Sequence, residues 1–100
     1  MCGATTGGLS LEGIDVAKET IIQGSVRRDG QPVAGAYVRL LDSGGDFTAE
    51  VPTSATGEFR FFAAPGTWTL RTLAPGAETV DRSVVAQQGA VAEVEVALPA

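Results

Sequence analysis

The chain holds one cysteine, Cys2, and no histidine. Methionine ahead of a small residue is normally trimmed, which would leave Cys2 at the amino terminus. An adjacent α-ammonium lowers a thiol pKa and favours the nucleophilic thiolate. Such a thiol could accept or pass a sulfane sulfur as a persulfide. The competing reading is an incidental exposed cysteine, since the sequence places no base and no second cysteine beside it. Without histidine, the Ser–His–Asp and Cys–His arrangements are excluded, as is the commonest zinc ligand. Gly7-Gly8 and Gly44-Gly45 precede no helix of the kind that cradles a phosphate, and read as tail and turn.

Arg39 and Arg71 form a second candidate, with Tyr37 and Thr69 beside them. Neighbouring outward arginines on a sheet could bind an oxyanion such as thiosulfate, or an acidic patch on a partner. The alternative is a solvated strand face paired with Glu50. Asp42, Asp46 and Glu50 flank a Ser-Gly-Gly turn but lack the ligand spacing of a calcium loop, so no metal site is expected. Trp68, Phe59 and Phe61 could suggest a carbohydrate platform. Their register with Leu70 places them in the core instead. Phe62 falls on the opposite parity, and is expected to be exposed or covered by the leading segment.

These residues must be positioned by short strands. From Thr20 onward, brief apolar-alternating runs are punctuated by turn signals at Asp29-Gly30, Ser43-Gly44-Gly45, Thr56-Gly57, Pro65-Gly66, Pro75-Gly76 and Gln88-Gly89. The spacing predicts strands near 20–27, 36–42, 46–53, 58–62, 67–74, 79–86 and 91–98. No amphipathic helix of normal length appears. Seven short strands at this spacing predict an antiparallel β-sandwich over 20–100, preceded by a flexible arm over 1–19. Leu9, Leu11, Ile14 and Val16 would anchor the later part of that arm in an extended path, or Asp15–Glu19 would form a short helical turn.

Alternation assigns the faces. Ile22, Val26, Val38, Leu40, Phe47, Phe59, Phe61, Trp68, Leu70, Val94, Val96 and Leu98 point inward. Gln23, Ser25, Arg27, Tyr37, Arg39, Glu50, Arg60, Thr69, Arg71, Glu93 and Glu95 point outward. Gly24 interrupts a strand, where it costs stability unless it permits a bulge or a close ring contact.

One hundred residues bury enough surface for a single core. The chain is 44% hydrophobic and 19% charged, which fits a folded domain. A net charge of −5 disfavours nucleic acid and anionic membranes as partners. No apolar run is long enough to span a bilayer, and no signal segment is evident. With a single cysteine, no internal disulfide can form. The expectation is a cytoplasmic protein.

Two stretches carry a family resemblance. IQGSVRRDGQPVAGAYVRL followed by SATGEFRFFAAPGTWTLRTLA resembles the carboxypeptidase-regulatory-like repeat of the prealbumin-like sandwich class. The shared pattern is I-x-G-x-V, a D-G-x-P-V-x-G-A turn, x-V-x-L, T-x-x-G-x-F-x-F and G-x-W/Y-x-L, over roughly residues 20–74. The resemblance implies that the second, third, fifth and sixth of the seven strands form one sheet and the first, fourth and seventh the other. Arg27 and Arg60 would then meet Glu93 and Glu95. The missing histidines argue against the prealbumin-like hydroxyisourate hydrolases. The chain from its Met-Cys start through RLLDSGGDFTAEVPTSATGEFRFFAAPGTWTLR is also similar to the small actinobacterial SseC-type family. That family is uncharacterised in activity and is associated with sulfur metabolism because its members are encoded beside rhodanese-type thiosulfate sulfurtransferases. The resemblance implies a non-enzymatic accessory protein without a cofactor that docks onto such an enzyme. The alternatives are a sulfur carrier loaded at Cys2, or a small-ligand-binding sandwich.

Overall fold

The computed structural model describes residues 11–99, and Cys2 lies outside them. Eight strands follow one another: β1 (Thr20–Arg28), β2 (Gln31–Pro32), β3 (Tyr37–Leu41), β4 (Phe47–Pro52), β5 (Glu58–Phe62), β6 (Gly66–Leu73), β7 (Val80–Ala86) and β8 (Ala90–Leu98). They form two sheets. One has the order β4-β3-β6-β7; in the other, β1 lies between β8 and the pair β2 and β5. The division of strands between the sheets matches the one expected from the resemblance. Two details differ from the expected seven-stranded antiparallel arrangement. Gln31–Pro32 folds back on Arg27–Arg28 as an eighth, two-residue strand, because Asp29 and Gly30 both adopt positive φ and turn the chain at once. And β8 runs parallel to β1 along all nine residues, from Thr20↔Ala90 to Arg28↔Leu98. Hairpin partners must be antiparallel; the first and last strands share no tight turn and are free of that constraint.

The core lies between the sheets. Ile22, Val26, Val38, Leu40, Phe59, Phe61, Leu70, Val94, Val96 and Leu98 are buried in one cluster, with Trp68 half-buried against it. Trp68 satisfies its indole by donating Nε1–H to the Ala64 carbonyl at 2.9 Å. Phe47 was expected inside and is 61% exposed. The cause is a register shift between Leu40 and Leu41. Leu40 faces Ala49 but Leu41 faces Phe47, so Thr48 has no opposite residue and the parity of the strand changes before Phe47. Phe62 is exposed.

The outer face of the β1 sheet is less wet than its polar residues imply. Gln23 is only 2% exposed, and Ser25 and Ile21 are also buried there. Gln23 bridges its two neighbours: Arg60 Nε donates to its Oε1 at 2.8 Å, and its Nε2 donates to Glu93 Oε2 at 2.9 Å. Arg27 meets Glu95 directly at 3.1 Å. Arg60 therefore reaches Glu93 through Gln23.

Before β1 the described chain makes two turns: Ile14 N–H donates to the Leu11 carbonyl, and then Lys18 N–H and Glu19 N–H both donate to the Asp15 carbonyl. The second of them is the helical-turn alternative of the two left open. No described helix is long and apolar enough to cross a membrane.

Thr72, on the inner face of β6, is fully buried and its Oγ1 has no hydrogen-bond partner. A buried hydroxyl without a partner forfeits its hydration and gains nothing. Thr72→Val, close in shape, should stabilise the fold by about 1 kcal/mol and raise Tm by roughly 4–8 °C. A melting curve checks this, and an unchanged or lower Tm contradicts it.

Candidate functional site

Sheet edges and sheet faces are the two surfaces a sandwich can offer a partner, and three of the edges carry obstructions. On β5, Ser54 N–H donates to the Glu58 carbonyl and Glu58 N–H donates to Ser54 Oγ. On β8, Arg82 Nη1 reaches across from β7 to the Glu95 carbonyl at 2.7 Å. On β4, the register shift and Pro52 interrupt the ladder a new strand would need. The outer face of the β4-β3-β6-β7 sheet is the more open surface.

That face is set by register. Arg39 lies opposite Glu50 on β4 and opposite Arg71 on β6, and Arg71 lies opposite Asp81 on β7. The result is a row across four strands: Glu50, Arg39, Arg71, Asp81. Tyr37, Pro52 and Leu73 form the next row towards one end; Phe47, Leu41, Thr69 and Ser83 form the next towards the other. Tyr37 is 49% exposed and Val85 58%. The sequence-predicted group Tyr37, Arg39, Thr69 and Arg71 is thus brought together.

Each arginine is held by a flanking carboxylate. Arg39 Nε donates to Glu50 Oε1 at 2.6 Å, and its guanidinium lies 6.0 Å from the centre of the Phe47 ring. Arg71 makes a two-pronged contact, Nε and Nη2 each 3.0 Å from an oxygen of Asp81. The hydrogen bonds from Arg71 hold the Asp81 carboxyl below its ordinary pKa, and the same bonds raise that of Arg71. The pair therefore persists to lower pH than a free aspartate would stay ionised.

Thr53 fixes where β3 begins, and so where Tyr37 sits. Its Oγ1 accepts from Ala36 N–H at 2.9 Å and donates to the Val33 carbonyl at 2.7 Å. Its N–H donates to the Ala36 carbonyl at 2.8 Å.

Phe47 and Asp81, which contact the two arginines, escaped the sequence reading. Phe47 was assigned inward. Asp81 was not matched to Arg71, although each stands five residues from Gly76 and a hairpin about that turn pairs them. Cys2 lies outside the described residues. Among those residues, no three His, Cys, Asp or Glu side chains gather as a metal site would require.

A family model described as "Protein of unknown function (DUF1416)" matches residues 2–98. Two uncharacterized proteins of Mycobacterium tuberculosis, Rv0814c and Rv3118, are each 61% identical over 75 residues, covering 73% of this chain and 75% of theirs. An uncharacterized protein of Mycolicibacterium smegmatis is 64% identical over 62 residues, covering 61% of this chain and 69% of its own. Among solved structures, the minor pilin GBS52 of Streptococcus agalactiae superposes with TM-score 0.67 at 16% identity over 83% of this chain, which spans 45% of the pilin chain. The dioxygenase domain of a carbohydrate-binding fusion from Streptomyces sp. SirexAA-E superposes with TM-score 0.63 at 14% identity, covering 89% of this chain and 85% of that one. Identities this low establish a shared fold and no shared chemistry.

Proposed function

The chain belongs to the DUF1416 family of unknown function, and from that premise we propose that it is a non-enzymatic docking module whose contact surface is the open face of β4-β3-β6-β7. The observation that carries this reading is the exposure of Tyr37 and Phe47 on either side of the Arg39–Arg71 row. Aromatic and arginine side chains on a fixed scaffold are the residue types from which protein interfaces draw most of their affinity. The scaffold is read as a carboxypeptidase-regulatory-like sandwich of prealbumin type, in keeping with how its strands divide between two sheets. The SseC-type resemblance supplies the partner, a rhodanese-type thiosulfate sulfurtransferase in the cytoplasm.

The test mixes the full chain with such an enzyme and thiosulfate, reading co-elution and intact mass together. Docking predicts co-elution that survives Cys2→Ser and weakens about tenfold or more in Tyr37→Ser/Phe47→Ser, the scale of losing interface anchors. Co-elution unaffected by the double substitution contradicts the proposed face. A sulfur adduct on wild type, absent from Cys2→Ser, would replace docking with the carrier alternative. A saturable small ligand without any protein partner would replace it with the ligand-binding one.

A further inference from the structure

Arg39 and Arg71 are directly opposite each other on neighbouring strands. Like charges in that position destabilise a sheet. The flanking carboxylates offset the repulsion, but they approach from the outer strands and leave the centre of the row positive. Arg39 is bound through Nε alone, so its Nη groups make no hydrogen bond among the described residues. Arg71 keeps Nη1 uncommitted in the same way. Both guanidinium groups are already oriented, by Glu50 and Phe47 on one side and by Asp81 on the other. The arrangement is a row of charges, minus-plus-plus-minus, with Tyr37, Pro52 and Leu73 on one side and, on the other, Phe47 and Leu41 followed by the hydroxyl-bearing Thr69 and Ser83.

We infer that the partner surface on this face presents a carboxylate side chain set among apolar residues, and that this carboxylate bridges Arg39 and Arg71 between Tyr37 and Phe47. The inference rests on the docking reading and deepens it. Charge complementarity selects the occupant. A second copy laid on this face with its own row over this one would place arginine over arginine. A cationic partner would meet the same repulsion at the centre. A strongly acidic surface is disfavoured by the chain's net charge of −5. One carboxylate in an apolar collar satisfies the free donors without that long-range penalty, and the collar makes the contact stronger than it would be in water.

The probes are two blocked tripeptides, acetyl-Leu-Glu-Leu-amide and acetyl-Leu-Gln-Leu-amide, titrated into the full chain while the backbone amides and arginine Nε–H signals are followed by NMR. Thiosulfate alone forms a third arm. The expected result is saturable shifts confined to residues 37–41, 47–50, 69–73 and 81–83, with the glutamate peptide binding about tenfold more tightly than its neutral isostere, the scale of a hydrogen bond to a charged group. Arg39→Gln/Arg71→Gln should erase that difference while leaving the amide spectrum dispersed. Equal shifts from both peptides would overturn the carboxylate and leave the docking face standing. Equal shifts from thiosulfate and the glutamate peptide would overturn the inference in favour of a small-anion site. No shift from any arm would overturn the inference, while the face itself stands or falls on the co-elution of Tyr37→Ser/Phe47→Ser.

Discussion

Gly24→Ala is expected to abolish the native fold. Gly24 is opposite Val94 in the parallel β1–β8 ladder, and a Cβ built on it would sit 1.6 Å from the Val94 carbonyl oxygen and 2.7 Å from its carbonyl carbon. The obstruction is backbone, so no rotamer change relieves it. Restoring ordinary contact requires β8 to move away by well over an ångström at the middle of its pairing with β1. Those two strands carry Ile22, Val26, Val94 and Val96 into the core. Overpacking of a close-packed interior costs typically 1–3 kcal/mol when side chains can adjust. Here they cannot, and the cost should exceed about 4–5 kcal/mol, comparable to the whole stability of many domains this size. Gly44→Ala is the control, because a Cβ there meets only side-chain oxygens at ordinary contact distance, Asp42 Oδ1 at 3.4 Å and Asp46 Oδ2 at 4.0 Å, and its φ is not in the left-handed region. It should change stability by less than about 0.5 kcal/mol. Far-ultraviolet circular dichroism and urea unfolding of both variants decide the matter. A folded Gly24→Ala chain with near wild-type stability would mean that the two strands lie farther apart than described.

How much of this was legible beforehand follows from which constraints are local. The alternation Ile22-Gly24-Val26 and its counterparts in the other strands placed ten of the twelve inward residues in the core cluster, because period-two patterning is a direct imprint of a half-buried sheet. Trp68 fell at its margin, and Phe47 was misplaced because parity can be counted along a strand but not across an irregular pairing. The shift at Leu40 and Leu41 is a relation between two strands, invisible in either alone. Gly24 was recognised as unusual, but the reason assigned was a bulge or a ring contact. The actual neighbour, the Val94 carbonyl, is seventy residues away in sequence and belongs to a parallel pairing that no turn announces. The same distance hid the Gln23–Glu93 hydrogen bond, so Gln23 read as a solvated outward residue when it is buried. The candidate face fared better. Tyr37 and Arg39 share one strand, Thr69 and Arg71 another, and each pair has the two-residue spacing that puts both members on one side. Cross-strand registration was needed only to show that the two pairs meet.

Thr53→Val is expected to cost about 2–4 kcal/mol, opposite in sign to Thr72→Val although both replace a buried threonine hydroxyl by methyl. The difference lies in the partners. Thr72 Oγ1 has none, so nothing is left behind when it goes. Thr53 Oγ1 both accepts from Ala36 N–H and donates to the Val33 carbonyl, and Ala36 is fully buried. Valine there would strand a donor and an acceptor. Each buried group left unpaired costs about 1–3 kcal/mol, while the hydrophobic gain of one methyl is smaller. Thr53→Ser keeps the hydroxyl and should lose under about 1.5 kcal/mol, mainly the packing of the methyl group. The loss should also be felt at the candidate face, since residues 33–36 lead directly into Tyr37 and the Thr53 hydrogen bonds hold them to the end of β4. Urea unfolding of the three variants, with amide exchange at Ala36 and Tyr37, tests the argument. The expected order of stability is Thr72→Val above wild type, then Thr53→Ser, then Thr53→Val, with faster exchange at Ala36 in the last. Equal stability of Thr53→Val and Thr53→Ser would show that the hydroxyl contributes nothing there. The start of β3, and the position of Tyr37 with it, would then depend on backbone pairing alone.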